Sequence, residues 1–423
     1  MATPWYRMDN SGMLYPIIGT LSTQSNYRLS FRLDSAVDEG LLTQSLERAY
    51  ARFPYYNVTV ERGFFRHYLA HNSYPIRVWK DDGVLLGRTD FARNGYHPIR
   101  VSYWADSVYI TFFHGLGDGA AAKIFGSYLL CAYLALTGVD LDPDALFPVK
   151  DGETQNAFDV HYRKMPFFDG LRKTAGGHAA QVKGRFFVKD GLACTQGKIE
   201  VAKAIEVSHR LDCTLGQLLA ACGLLACVRT RAVVTPKHPP IVFVPVNLRP
   251  LFGSNTMLNF VGTLKVIIPP ETPTTVEAYV KEVKAQLTEQ ATKERLQATV
   301  SFTSLLSKNP LIKWFPLGIK ILFSKVGRAL AKETKQTLIV SNLGKIDLPP
   351  EALAHLKDWC FTLNTNRRTP QNLAVVSYGD TLSVVWSRHI IQNDVDVEFY
   401  RIMRELGLDM TVNSNYREVG HAL

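Results

Sequence analysis

Alternating and helically spaced apolar residues follow one another along this chain of 423 residues. Residues 27–33 alternate between apolar and polar, which predicts a half-buried strand. Asp38 then stands at a helix N-cap position, and Pro54 ends the pattern that follows it. The apolar residues between them share one helical face: Leu41, Leu42, Leu46, Ala49 and Tyr50. The sequence therefore predicts a strand followed by an amphipathic helix that runs to about Phe53.

The rest of the chain mixes short strand patterns with helical ones. The strand patterns cover 57–60, 64–70, 76–79, 98–104, 107–113, 241–246, 261–268, 338–341, 359–363, 372–377 and 382–386. The helical patterns cover 120–136, 214–230, 275–295 and 395–406. A stretch rich in Pro, Gly and charged residues, from about 140 to 191, separates the patterns that end at 136 from those that begin at 214. We expect some helix within this stretch. The pattern predicts an α/β (α+β, two-layer) fold, with an N-terminal lobe at 1–150, a crossover at 151–195 and a C-terminal lobe at 196–423.

The chain is basic: Lys and Arg number 48 against 38 Asp and Glu, so the formal charge is +10. Such a charge favours anionic partners, namely a phosphorylated cofactor, an acidic carrier protein, a membrane surface or nucleic acid. It is equally typical of a soluble surface with some excess of basic groups. The basic residues are scattered, and no nucleic-acid motif accompanies them. We therefore expect no nucleic-acid partner. The charge does not decide between another anionic partner and a surface with a simple excess of basic groups.

Six cysteines occur without a C-x-x-C pair, which predicts neither a disulfide framework nor a metal site. Residues 1–7 lack the basic start and apolar run of a signal peptide. No run reaches about 18 consecutive apolar residues, so we expect no membrane span. These features predict a cytoplasmic protein in a reducing compartment.

The most informative segment is 112–119, Phe-Phe-His-Gly-Leu-Gly-Asp-Gly. A predicted strand ends at Phe113, His114 follows, and small residues lead into the helix that begins near Ala120. The glycines allow a tight turn and a close approach of substrate to the backbone. A neutral imidazole can take a proton from a hydroxyl or an amine near pH 7. His114 is therefore a candidate general base, and Asp118 is a candidate anchor for its loop.

A histidine after a strand is more often structural than catalytic, and H-x-x-x-D-G alone occurs by chance. In its strand–loop–helix setting, however, the segment resembles the active-site motif of the chloramphenicol-acetyltransferase-like superfamily. That group includes peptide-synthetase condensation domains, BAHD plant acyltransferases, polyketide-associated acyltransferases, wax-ester synthases and alcohol acetyltransferases. Further segments resemble its motifs in order: 52–56 (Arg-Phe-Pro-Tyr-Tyr), 62–65 (Arg-Gly-Phe-Phe), 245–250 (Pro-Val-Asn-Leu-Arg-Pro) and 341–349 (Ser-Asn-Leu-Gly-Lys-Ile-Asp-Leu-Pro). The likeness covers roughly residues 15–405 and is greatest to bacterial proteins of the alcohol-acetyltransferase type.

The resemblance implies two similar lobes around a tunnel, with the histidine midway. His114 would deprotonate the acceptor, Asp118 would hold the loop, and Gly119 would leave room beside the histidine. Ser341 and Asn342 are candidates for shaping the donor (cofactor-binding) side of the tunnel, although a turn at a strand end explains them equally well. A separate pair is assigned to stabilising the second lobe: Asn247 and Arg249.

The function implied is acyl transfer, most simply alcohol O-acetyltransferase activity that moves acetyl from acetyl-CoA to an alcohol or amine. No cofactor would stay bound, and acyl-CoA would be the co-substrate. An acyl carrier protein could present the acyl group instead, as in condensation domains. A non-catalytic two-lobe binding protein is the alternative from another class. We expect a monomer.

Two departures from the superfamily pattern bear on the donor. Many relatives carry two adjacent histidines, and Phe113 stands at the first of these positions while His114 keeps the second. The Asp-Phe-Gly-Trp-Gly segment of BAHD enzymes is absent, and 341–344 stands in its place. These departures argue against a plant-type enzyme and leave the donor open.

The segment 310–330 is apolar, aromatic and basic. It could lie on a membrane surface, which would suit a lipid acceptor. Pro316 and Gly318 interrupt it, and such helices often pack on a second lobe. Packing is the favoured interpretation here, with peripheral membrane contact as its alternative.

Overall fold

The computed structural model describes residues 5–18, 25–86, 91–92, 94–164, 178–187, 191–233, 238–309, 313–330, 336–367 and 369–415. The strands there are β1 Trp5–Tyr6, β2 Asn26–Leu33, β3 Val58–Arg62, β4 His67–His71, β5 Trp79–Lys80, β6 Ile99–Trp104, β7 Ser107–Phe113, β8 Ala193–Glu200, β9 Ile241–Asn247, β10 Val261–Ile267, β11 Leu338–Lys345, β12 Leu356–Leu363, β13 Gln371–Tyr378, β14 Thr381–Arg388 and β15 Met410–Ser414. The helices are α1 Leu14–Ile18, α2 Glu39–Arg52, α3 Gly119–Leu136, α4 Pro143–Leu146, α5 Ala157–Val160, α6 Val201–Arg210, α7 Leu215–Arg229, α8 Arg249–Phe252, α9 Val276–Gln290, α10 Lys293–Lys308, α11 Leu317–Leu330, α12 Pro350–Ala354 and α13 Asp394–Glu405.

A five-stranded sheet in the order β12-β2-β7-β6-β5 forms the first lobe. Its neighbours are antiparallel except for the β5–β6 pair. The hairpin between β6 and β7 turns at Ala105, whose φ of 51° is left-handed, and Asp106. The predicted strand 107–113 and its hairpin are confirmed, and β7 lies in the middle of the sheet.

Helices α2 and α3 pack together on this sheet. Asp38 caps α2 by accepting a hydrogen bond from the Leu41 N–H, as the sequence predicts. Helix α3 has the length and hydropathy of a membrane span, but 67% of that stretch is buried within the protein. It is therefore the central helix of the first lobe's core, which explains why it is apolar on nearly all sides.

The second lobe is built on a seven-stranded sheet in the order β10-β9-β11-β13-β14-β8-β15. Strand β11 runs parallel to both β9 and β13, and the other pairs are antiparallel. Helix α7 packs against α9, α13 and β11. Thr214 and Gln217 form a reciprocal capping box at the start of α7, which confirms the helix predicted at 214–230.

The two lobes do not divide at one point in the chain. Strand β12 comes from the C-terminal half yet lies at the edge of the first lobe's sheet, beside β2. Its Trp359 and Phe361 are buried in the first lobe's core, together with Ile346. The crossover segment contains the short helix α5, and α4 lies just before it, whereas 165–177 and 188–190 lie outside the described residues. The lobe boundaries at 150 and 196 stay a prediction.

Some predicted elements differ from the structure. The single helix predicted at 275–295 is two helices, α9 and α10, because the Thr292 side chain accepts from the Arg295 N–H and caps a second helix. The strand predicted at 76–79 is reduced to β5. The sequence pattern predicted no element at strands β8 and β15 or at helix α6. Part of the predicted segment 310–330, at 310–312, lies outside the described residues.

Candidate active site

His114 lies where the first lobe meets the second. Its backbone N–H donates to the Ser25 carbonyl at 2.8 Å, which extends the β2–β7 ladder by one residue. The Leu116 N–H then donates to the Phe113 carbonyl at 3.0 Å and closes a tight turn. The imidazole is thus fixed at the end of a central strand and is partly buried.

The imidazole is oriented by Asn259 of the second lobe. Asn259 Nδ2 donates to Asp9 Oδ2 and to the His114 carbonyl, each at 3.0 Å. Both partners are acceptors, so the amide nitrogen must face them and its oxygen must face the histidine. Asn259 Oδ1 lies 3.0 Å from His114 Nδ1. Nδ1 therefore carries the proton, and Nε2 is left with its lone pair.

Asp9 holds Asn259 in place from the N-terminal segment. Its Oδ2 also accepts from the Asn259 backbone N–H at 3.1 Å, and its Oδ1 accepts from the Ser11 and Gly12 N–H groups at 2.8 and 2.7 Å. Burial raises the pKa of Asp9 to about 6, although these hydrogen bonds act in the opposite direction. A carboxylate that accepts only from N–H groups is a fixed acceptor at pH 7.

The same surroundings keep His114 neutral. Burial lowers the pKa of the His114 imidazole below its usual value of 6.5. Its backbone carbonyl, the charge of Asp118 and the Asn259 hydrogen bond act in the opposite direction but do not overcome burial. An imidazole with a lowered pKa is neutral at pH 7, with its one proton on Nδ1, and can accept a second proton at Nε2.

Two tyrosines bracket the imidazole ring. Tyr15 of α1 stacks on it, with ring centroids 4.4 Å apart and planes 18° apart. Tyr27 of β2 contacts it edge-on at 5.1 Å, and its hydroxyl donates to the Gly117 carbonyl at 2.9 Å. These contacts restrict rotation of the ring and fix the loop that follows it.

Asp118 joins the lobes through a buried ion pair. Its Oδ1 accepts from the Ala121 N–H at 3.1 Å, which caps α3. Its Oδ2 accepts from Arg249 Nη1 at 2.9 Å and from the Phe260 N–H at 2.8 Å. Arg249 also donates to the Thr256 and Leu258 carbonyls, so it supports the second lobe as predicted and also reaches across to the first. Both carboxylate oxygens of Asp118 are therefore occupied by these contacts, which favours a role as an anchor over a role as a second base.

Gly119 packs tightly against the second lobe. A Cβ at this position would lie 2.5 Å from Leu343 Cδ2, so the missing side chain makes room for Leu343, and the room expected beside the histidine stays a prediction. Leu343 belongs to β11, and Lys123 of α3 donates to its carbonyl at 3.0 Å. The β11 segment is thus attached to the start of α3.

Ser341 and Asn342 lie on β11 just before Leu343. Ser341 is buried, whereas Asn342 is exposed and its side chain accepts from the Gly344 N–H at 2.8 Å. The pairing with β13 shifts register between Asn342 and Lys345. This irregularity lies within β11, which continues to Lys345, so the strand-end turn and a donor-binding role for either residue both stay predictions.

Sequence reasoning missed Asn259, Asp9 and Tyr15. Asp9-Asn-Ser-Gly is a readable turn, in which an Asp side chain accepts from N–H groups two and three residues on. No local pattern, however, indicates that Asp9 meets Asn259, which is 250 residues away.

The described elements and the site define a two-lobed α/β fold with a histidine loop at the lobe junction, which confirms the predicted fold class. No protein-family model matches the sequence. No curated protein matches it either.

Solved structures share the fold over nearly the whole chain. Polyketide synthase associated protein 5 from Mycobacterium tuberculosis is 14% identical with a TM-score of 0.65, over 95% of this chain and 98% of its own. The trichothecene 15-O-acetyltransferase from Fusarium sporotrichioides is 11% identical with a TM-score of 0.62, over 95% and 94%. The first condensation domain of the CDA synthetase is 12% identical with a TM-score of 0.59, over 96% and 95%. The structural neighbours thus include an acetyltransferase and a condensation domain, two of the groups whose motifs the sequence resembles. At these identities the likeness establishes the fold.

Proposed function

We propose that this protein is an acyltransferase that moves an acyl group from a thioester to an alcohol or amine, with His114 as the general base. The observation that carries the proposal is the orientation of His114. Its Nδ1 faces Asn259 Oδ1 at 3.0 Å, and burial lowers its pKa, so Nε2 is an available base at neutral pH. The fold shared with acetyltransferases and condensation domains supports the same chemistry.

In the proposed reaction, Nε2 of His114 takes the proton of the acceptor as its oxygen or nitrogen attacks the thioester carbonyl carbon. The tetrahedral intermediate then expels the thiolate as the C–S bond breaks. The imidazolium returns the proton to the sulfur, which gives the ester or amide and a free thiol. Asn259 favours this cycle because it accepts from Nδ1–H throughout and stabilises the imidazolium when it forms. Asp118 holds the loop through Arg249 and takes no proton.

Acetyl-CoA is the donor we propose first, with Ser341 and Asn342 on the donor side. The attachment of β11 to the start of α3, through Leu343 and Lys123, supports this placement. A carrier protein is the second candidate donor, because peptide-synthetase domains are among the structural neighbours. The chain's charge of +10 suits either a CoA phosphate or an acidic carrier.

The test is the release of free thiol when the purified protein meets acetyl-CoA and a panel of alcohols and amines. His114→Ala is compared with His97→Ala, a matched control in which another buried histidine, stacked on Tyr50, is removed from the same lobe. We expect acceptor-dependent release that is lost in His114→Ala and kept in His97→Ala.

Other outcomes are equally decisive. Release that survives in His114→Ala would refute the mechanism. No release from acetyl-CoA or longer acyl-CoA donors, but transfer from an acylated carrier protein, would assign the second donor. No transfer from either donor would favour a binding protein that keeps the two-lobe fold.

A further inference from the structure

Helix α11 exposes an apolar face to solvent. Its side chains Ile319, Leu322 and Phe323 share one face by their i, i+3, i+4 spacing, and they are 42%, 60% and 66% exposed. Lys320 is turned inwards instead, is partly buried, and donates to the Phe65 carbonyl at 2.9 Å. A surface helix ordinarily places its polar face in water and its apolar face in the core. Leu317, at the start of α11, is buried, so packing accounts for part of this helix but not for the exposed apolar face.

Aromatic residues from two other places extend the apolar face. Trp314, just before α11, is 61% exposed, and Phe64 in the turn between β3 and β4 is 71% exposed. Phe65 links them, because its ring contacts both Phe64 at 4.8 Å and Trp314 at 5.4 Å. The Leu317 N–H donates to the Phe64 carbonyl at 2.7 Å, which fixes the turn to the helix. The result is one continuous surface rather than scattered apolar residues.

Basic groups surround this surface. Arg62, Arg66 and Lys313 are exposed. Arg62 Nη2 lies 3.8 Å from the position of a Cβ built on Gly318, at the start of α11. Burial and the charge of Arg66 lower the pKa of Lys320, which places that pair close together as well. Cations at the rim of an exposed apolar and aromatic face attract an anionic partner.

We propose that this surface, formed by the β3–β4 turn, Trp314 and the exposed face of α11, binds to anionic phospholipid bilayers. Bilayers accept protruding rings and alkyl side chains without a complementary pocket, and aromatic rings favour the headgroup level. Cations beside them attract anionic headgroups. An acidic carrier protein would also meet these cations, but it offers no equivalent layer for five protruding apolar side chains.

The surface is also close to the candidate active site. Helix α11 packs against α1, and Tyr15 of α1 stacks on His114. A bilayer bound at the exposed face of α11 would therefore be separated from the imidazole by α11 itself and the short helix α1. This arrangement suits an acceptor or donor with a long alkyl chain that partitions into lipid.

The test uses the full-length protein in sedimentation with phosphatidylcholine vesicles that contain or lack phosphatidylglycerol. We expect binding to the anionic vesicles that weakens with salt. The double variant Leu322→Ser/Phe323→Ser should weaken it at least about tenfold, since both side chains lose apolar contact with lipid. Neutralising Arg62 or Lys313 to Gln should weaken it about fivefold per charge.

Matched controls change equally exposed groups elsewhere: Val397→Ser on α13 and Lys203→Gln on α6 should leave vesicle binding unchanged. Brominated lipids should quench Trp314 emission, measured as the difference between wild type and Trp314→Phe. The proposal would be overturned if the wild-type protein did not bind anionic vesicles, or if the variants bound them as strongly as wild type. Carrier-protein binding that the same variants weaken, without any vesicle binding, would assign the surface to a protein partner instead. Acyl transfer to water-soluble acceptors is measured separately, so its outcome does not depend on this surface.

Discussion

Replacing Asn259 with alanine removes the group that sets the tautomer of His114 while leaving the imidazole itself in place. The substitution deletes the acceptor 3.0 Å from Nδ1 and the donor 3.0 Å from Asp9 Oδ2. One net hydrogen bond is worth about 0.5–1.5 kcal/mol. Its loss lowers the ratio of the reactive tautomer to the other neutral tautomer about two- to tenfold. The freed ring also turns more easily, so we expect kcat/KM to fall by about tenfold or more, up to the 10²–10⁴-fold that a general base supplies.

The same substitution should also cost stability. The buried Asp9 carboxyl keeps its three backbone N–H donors but loses its only side-chain donor among the described contacts. A buried polar group left short of a partner costs about 1–3 kcal/mol. A matched control is Asn372→Ala on β13, since Asn372 is equally buried and donates to the Asn364 carbonyl. It should lose similar stability with no change in the histidine.

The tautomer can be measured without knowing the substrate. Long-range proton–nitrogen spectra of histidine-labelled protein distinguish a protonated from an unprotonated ring nitrogen, and His114→Gln assigns the signal among the 11 histidines. In wild type, Nε2 of His114 should have the shift of an unprotonated nitrogen, and in Asn259→Ala the two nitrogens should average. A wild-type spectrum with Nδ1 unprotonated would refute the orientation argued here, whatever the kinetics show.

Three further outcomes follow from the site. Asp118→Ala should lower the free energy of unfolding by about 3–5 kcal/mol, because it leaves the buried Arg249 without its ionic partner. In denaturant unfolding, Asp118→Ala/Arg249→Met should lose less stability than the sum of the two single changes. An additive loss would contradict the ion pair. Gly119→Ala should cost about 1–3 kcal/mol of stability, since its Cβ would meet Leu343 at 2.5 Å. In thermal unfolding, adding Leu343→Ala should restore part of the lost stability. An unchanged Tm for Gly119→Ala would contradict that packing. The kcat/KM should be constant near pH 7 and should fall as the pH drops through the lowered pKa of His114, below 6.5, because only the neutral imidazole is a base. A fall in kcat/KM that begins above pH 6.5 would contradict the burial of His114.

The parts of the site that are close in sequence could be predicted. His114 follows a strand whose period is visible, and Asp118 precedes an apolar helix at a position where an N-cap is expected. Both signals come from hydrogen bonds within four residues, so a single sequence carries them. The same holds for Asp38, and the fold class followed from the mixture of the two periods.

The parts that depend on distant contacts could not be predicted. Asn259 and Asp9 reach His114 through side-chain hydrogen bonds that span 145 and 250 residues, and neither lies in a periodic pattern. Arg249 could be assigned to the second lobe, where it donates to nearby carbonyls, but its bond to Asp118 spans 131 residues. The break between α9 and α10 was missed for a different reason: a capping threonine inside a helical pattern has little effect on its period.

Strand β12 determines when the first lobe can be completed during synthesis. Its edge position beside β2 means that the sheet carrying His114 waits for residues made more than two hundred positions later. Until then β2 offers an open hydrogen-bonding edge, and the sites of Trp359 and Phe361 in the core stay unfilled. A fragment that ends before Leu356 is therefore an aggregation-prone species rather than an independent half. A nascent chain of this protein needs protection until nearly all of it has left the ribosome.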